Sequence, residues 1–313
     1  PPPPPPPPPP HFQAEDGIRD ESLRLVGSEM CIRDRATTSL QVAISDIDIL
    51  FVAVPSKSFR EVAKEVAGHI TRQTLVVSLT KGIEAHGFRL MSQILQEELP
   101  HNPVAVLSGP NLAGEIAAGQ ITGSVVASAT TSINTTLHDL LHSENFLVFA
   151  SHDMYGVELG GALKNVYAIL AGLGAALNFG ENTVGMLLTR SLAEMSRFAV
   201  HMGANPMTFL GLAGVGDLFV TCSSPQSRNY RVGYAVGKGE SLDEALAGMD
   251  QVAEGINTLG LLKVEADRRE VHMPLVNGLY GILYERRPVS EVFDDMMITE
   301  QAQDVEFVTS NSL

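Results

Sequence analysis

What most limits the fold of this chain is a change of rhythm near Ser151. From Asp46 onward, short apolar runs rich in β-branched residues alternate with segments of helical spacing. "DILFVAV" (48–54) is a continuous run of the kind that forms a strand covered on both faces. Pro55 ends it, and Phe59, Val62, Val66 and Ile70 follow at helical period, with Ser58 and Glu61 suited to a capping box at the start. Further strands are expected at 74–79, 104–109, 123–128 and 146–151, with helices over 89–99, 111–119 and 132–143. Strands and helices alternating at this spacing imply βαβ units and a mostly parallel sheet. Beyond Tyr155 only helical periodicity and glycine-rich joints remain. The expected organisation is an α/β domain over 36–152 and an all-α domain over 153–313.

The first 35 residues fit neither domain. Ten prolines would form an extended polyproline helix with no core to join. "QAEDGIRD" and "LVGSEMCIRD" read back into the constant arms of a transposase-type library adapter. Residues 1–35 are therefore expected to be foreign, and no Gly-x-Gly-x-x-Gly turn precedes Asp46. An α/β domain that binds a dinucleotide opens on that turn, so the first βαβ unit is expected to be missing.

Bulk properties exclude several classes of function. The net charge of −15 opposes general nucleic-acid binding, since no global positive field would attract a polyanion. No apolar run is read as approaching the roughly 18 residues that cross a bilayer. The two cysteines, Cys31 and Cys222, suggest neither a disulfide framework nor a metal site, which fits a reducing cytoplasm. No histidine pair stands at metal-ligand spacing, and no G-x-S-x-G elbow is present.

The chemistry concentrates in a few stretches. "ELGGALKNVYAILAGLG" (158–174) reads as a helix buried among others, and Lys164 is its only cation. Its neighbours at helical spacing, Gly160, Gly161, Tyr167 and Ala168, include no acid. Such a lysine either packs its stem and sends its head to water or serves as a functional group that loses its proton readily. Lys81 and "LSGPNLAG" (107–114) stand at strand ends, where open α/β sheets bind ligands. Gly109 and Pro110 shape a turn there, and Asn111 either caps a helix or faces an anion. Asp217 lies between glycines and apolar residues, an awkward place for a carboxylate unless a cation meets it. Arg228, with Ser227 and Asn229 beside it, presents a fork suited to phosphate or carboxylate.

Taken together, "FVAVPS", "LTKGIE", "LSGPNLAGEIAAG", "ELGGALKNVYAILAGL", "TRSLAEMSR", "GLAGVGDLFVTC", "SRNYRVG" and "VAEGINT" resemble the bacterial-type NAD(P)-dependent glycerol-3-phosphate dehydrogenases, in order from about residue 36 to 300. The resemblance implies a Rossmann-like nucleotide-binding domain followed by an all-α domain. It also implies reduction of dihydroxyacetone phosphate to sn-glycerol 3-phosphate by NAD(P)H in the cytoplasm, for phospholipid synthesis. Lys164 would be the catalytic lysine and Asp217 its acidic partner. Lys81, Gly109, Asn111, Asn165, Thr221, Ser227, Arg228 and Asn229 would bind substrate. Lys81, Ala113, Arg228, Val252 and Glu254 would contact the cofactor. No metal is implied, the partner is a small phosphorylated substrate, and a homodimer fits the family. The alternatives are a 3-hydroxyacid or phosphogluconate dehydrogenase of similar build, or a fragment inactive for want of its first βαβ unit.

Overall fold

Between Asp48 and Ser151 the apolar runs pair into one sheet. The computed structural model describes residues 36–85, 87–249, 253–289 and 291–293, so the segment read as foreign (1–35) lies outside the described residues. In chain order the first elements are α1 (Leu40–Ala43), β1 (Ile49–Val52), α2 (Phe59–Ala67), β2 (Leu75–Ser78), β3 (Ile83–Glu84), β4 (Arg89–Leu90) and α3 (Met91–Glu98). They are followed by β5 (Val104–Ser108), α4 (Ala113–Ala117), β6 (Thr122–Ala127), α5 (Thr131–Leu141) and β7 (Phe146–Ser151). The sheet order is β1-β2-β5-β6-β7. All pairs are parallel except β5 with β6, where Leu107 lies opposite Val126. The mostly parallel α/β sheet is thus present. Because β1, β2 and β5 run the same way, the loops after Val52, Ser78 and Ser108 gather at one edge of the sheet.

Two local features differ from the sequence reading. Ser58 does not cap α2: it ends a 3-10 turn in a helical conformation, and its hydroxyl donates to the Pro55 carbonyl at 3.1 Å. The β3–β4 hairpin was not anticipated, because two-residue strands carry no readable period. It matters all the same, since its Ile83, Phe88 and Leu90 are buried in one core with Leu163, Tyr167 and Leu170 of the helical layer.

The helical layer comprises α6 (Met154–Ala176), α7 (Glu181–His201), α8 (Asp217–Ser223), α9 (Arg228–Gly237), α10 (Leu242–Ala247), α11 (Glu254–Arg268) and α12 (Pro274–Leu283). At its centre, α6 is buried almost from end to end. By length and composition α6 could cross a bilayer, contrary to the sequence reading. Its apolar stretch is 89% buried by neighbouring elements, however, and serves as a core. Small residues let those neighbours touch its backbone. A Cβ at Gly172 would lie 1.9 Å from the Tyr230 carbonyl oxygen, and one at Gly233 would lie 1.8 Å from that of Ile169. Likewise Gly160 admits the Ala213 carbonyl at a point where a Cβ would be 2.6 Å away. The turn that leads into Asp217 therefore rests on α6 one helical turn before Lys164.

Two buried carboxylates tie elements together, Glu158 across the two layers and Glu194 within the helical layer. Glu158 of α6 accepts from the Ser92 N–H at 2.9 Å and from the Ser92 hydroxyl, both in the first turn of α3. Glu194 of α7 accepts from the N–H groups of Leu275 and Val276, each at 2.9 Å, at the start of α12. Burial pushes both carboxyls up to about 7, against the pull of these donors.

The glycine contacts make a direct prediction. Gly233→Ala forces α9 off α6 and should cost about 3 kcal/mol by urea unfolding, the upper range for overpacking. Gly180→Ala, where an added Cβ meets nothing within 4 Å, is the control and should leave stability nearly unchanged. Equal effects from the two variants would contradict the close packing.

Candidate active site

Asp217, the first residue of α8 and only 1% exposed, is met by two ammonium groups. Lys164 Nζ bonds its Oδ1 and also donates to Thr221 Oγ1 at 2.6 Å. Thr221 stands one helical turn after Asp217 and donates to its main-chain carbonyl at 2.6 Å. Lys81, from the loop after β2, donates to Asp217 Oδ2 at 2.6 Å and to the Gly109 carbonyl at 2.9 Å. One carboxylate thus binds a lysine from the sheet layer and a lysine from the central helix.

Local backbone explains how they converge. Lys81 passes over Gly161, where an added Cβ would lie 3.5 Å from its Cδ and 2.6 Å from Ser108 Oγ. Gly109 has φ +137°, a conformation that favours glycine, and a Cβ there would lie 3.2 Å from the Gly123 carbonyl. That conformation goes with a carbonyl placed within reach of Lys81.

Burial does most to lower the Lys164 ammonium, bringing it to about 7. The neighbouring charge of Lys81 lowers it further, and Asp217 opposes both. Two of the three Lys164 donors are engaged by Asp217 and Thr221, which leaves one for a reacting oxygen.

The remaining predicted residues fall around this centre. Asn165 follows Lys164, and its Oδ1 accepts from Asn229 Nδ2 at 2.9 Å. Asn229 Oδ1 in turn accepts from the Gly255 N–H at 2.9 Å, tying the start of α11 to α6. Both polar ends of Asn229 are therefore engaged within the protein. Glu254, the first residue of α11, accepts from the Ser56 hydroxyl at 2.8 Å, a link between the two layers. Ser227 caps α9 by accepting from the Tyr230 N–H at 3.3 Å, and Arg228 is exposed beside it. Ala113 is exposed at the start of α4. Asn111 does not cap α4, whose N-cap is Leu112; its Nδ2 donates to Ser124 Oγ at 3.0 Å. Val252 lies outside the described residues.

Ser56, Ser108 and Ser124 escaped individual notice in the sequence, although Ser108 stands in the strand-end stretch 107–114 already marked as a ligand position. Ser108 Oγ and Asn111 Oδ1 are buried without a hydrogen-bond partner among the described residues. Orphaned polar atoms at the C-terminal end of β5 suit a polar ligand lodged there. Among the described residues no group of three or more metal-ligating side chains is gathered.

Comparison with known proteins identifies the family. Residues 26–134 match the family model for the NAD-dependent glycerol-3-phosphate dehydrogenase N-terminus, and residues 153–294 match that for the C-terminus. The glycerol-3-phosphate dehydrogenase [NAD(P)+] of Acinetobacter baylyi is 54% identical over 274 residues, covering 88% of this chain and 76% of the relative. That of Pseudomonas aeruginosa is 55% identical over 271 residues, covering 87% and 79%. The crystal structure of glycerol-3-phosphate dehydrogenase from Coxiella burnetii superposes with a TM-score of 0.81 at 34% identity, covering 84% of this chain and 81% of that one.

Asp217→Asn leaves two ammonium groups without their carboxylate. Below about pH 6 it should destabilise the fold by about 3 kcal/mol. The loss should shrink above about pH 8, where Lys164 is neutral and no longer needs a counter-charge. Urea unfolding at the two pH values checks this, and a pH-independent loss would contradict the charge argument.

Proposed function

We propose that this chain, which belongs to the NAD-dependent glycerol-3-phosphate dehydrogenase family, uses Lys164 as the proton donor and acceptor of its reaction. The protein is an NAD(P)-dependent oxidoreductase that interconverts dihydroxyacetone phosphate and sn-glycerol 3-phosphate, a step that supplies glycerophospholipid synthesis. The single observation behind the role of Lys164 is its buried position between Asp217 and Thr221, with its ammonium brought down to about 7.

In the reductive direction the carbonyl carbon gains a hydride and the π electrons move to oxygen. Lys164 then gives that oxygen a proton and is left as a neutral amine. In the oxidative direction the amine takes the proton back. Asp217 and Thr221 fix the position of Nζ, and Lys81 adds positive charge near the developing alkoxide. Gly109, Asn111 and Asn165 line the substrate position in this reading. Arg228 and Ser227 hold the substrate phosphate at the start of α9 by a guanidinium fork and the helix N-terminus. Asn229, with both polar ends engaged by the protein, holds this loop against α6.

The orphaned Ser108 Oγ and Asn111 Oδ1 fit a polar group bound at the edge of the sheet. Lys81, Ala113, Arg228, Val252 and Glu254 would hold the nicotinamide cofactor, with Ser56 steadying Glu254. When bound, the nicotinamide supplies the hydride. The reading extends to a homodimer in a reducing cytoplasm, where the buried free thiol of Cys222 would stay reduced.

Nicotinamide absorbance after adding dihydroxyacetone phosphate tests the assignment. Lys164→Ala should lower kcat by a factor on the order of 10² or more. A variant retaining most of its kcat would remove Lys164 from the chemistry. The reduction rate should fall as pH rises through about 7, because the donor must be charged, while oxidation should rise over the same range. Lys81→Met removes a neighbouring positive charge and should move both limbs to higher pH. An unmoved profile would contradict the coupling of the two lysines.

A further inference from the structure

A hollow of about 410 Å³ opens between the β3–β4 hairpin, the start of α6 and the end of α11. Arg89, Gln93, Tyr155, Glu265, Arg268 and Arg269 line it, and none of them belongs to the active site described above. Its single carboxylate is fully engaged. Glu265 Oε2 accepts from Arg268 Nε at 2.8 Å, and Oε1 accepts from Arg268 Nη2 at 2.5 Å and Arg269 Nε at 2.6 Å. These guanidinium groups, Arg268 first, hold the Glu265 carboxyl below its usual range. Arg89 Nε meets Glu97 at 3.0 Å, and Gln93 Oε1 accepts from the Leu90 N–H.

A surplus of donors remains. Both Nη atoms of Arg89 and of Arg269, Nη1 of Arg268, Nε2 of Gln93 and the Tyr155 hydroxyl have no acceptor among the described residues. The Tyr155 hydroxyl, Arg89 and Arg269 line this same hollow. Three guanidinium groups and one carboxylate line the hollow, and Glu97 pairs Arg89 from outside that lining, so the lining itself is locally positive in a chain whose net charge is −15. Planar forks with unused N–H pairs match tetrahedral oxyanions, which accept two bonds from each fork.

We propose that this hollow is a second anion site, separate from the substrate position, which binds a multiply charged phosphate group. Pyrophosphate is a suitable probe, followed by titration calorimetry on the full chain. The active site is also built for a phosphate, so Arg228→Ala serves to weaken binding there. Wild type and Arg228→Ala should retain a site of similar affinity, whereas Arg89→Gln and Arg269→Gln should each weaken it about tenfold, the loss of a charge-assisted pair. Arg268 still serves Glu265 in both hollow variants, and their melting temperatures without pyrophosphate should stay close to that of wild type. Unchanged affinity in both hollow variants, or loss of all binding in Arg228→Ala alone, would overturn the proposal. If a hollow variant proves unstable, pyrophosphate protection of Arg268 and Arg269 from phenylglyoxal in the wild-type chain decides the matter. Protection is expected, and its absence would sink the assignment.

Discussion

The structure depends on one buried carboxylate held between two ammonium groups. Asp217 is almost wholly removed from water, and an ion in that position is costly unless opposite charge and hydrogen bonds compensate. Lys164 and Lys81 supply the charge, and the Thr221 hydroxyl bridges Lys164 to the Asp217 backbone. Because one lysine belongs to α6 and the other to the edge of the sheet, the same contact assembles the site and registers the two layers.

Competing terms set the chemistry of Lys164. Desolvation alone would strip its proton, and Asp217 alone would keep it charged well into alkaline pH. With Lys81 added on the side of desolvation, the balance falls near neutrality. A group poised there can both give and take a proton, as a reversible reduction requires. The packing of α6 makes that balance possible. Its glycines admit the backbones of α9 and of the turn before Asp217, so the carboxylate comes within bonding distance of Lys164.

Much of this was legible in the sequence, for identifiable reasons. The strands and long helices showed because apolar period is a local property, and the change of rhythm at Ser151 separated the strand-bearing stretch from the helical one. Lys164 stood out because no acid lies within a helical turn of it, and Asp217 because no cation lies beside it. The pairing of the two, across 53 positions, came from family resemblance and not from spacing. Contacts that depend on distant segments left no local trace. The Ser56–Glu254 bond joins residues 198 positions apart, and the β3–β4 hairpin owes its place to apolar side chains seated in the helical core. Ser58 and Asn111 show the opposite failure: each has the composition of a cap, yet a nearer partner takes its side chain.

The central claim is that Lys164 is held near neutrality by its surroundings, and titration of its Nζ by heteronuclear NMR on lysine-labelled protein tests it most directly. Assignment would rest on the signal missing from Lys164→Ala. The account predicts a midpoint near 7, rising when Lys81 is replaced by methionine. A midpoint near that of a free lysine, about 10.4, would contradict it, because the ammonium would then be too weak an acid for the role given to it.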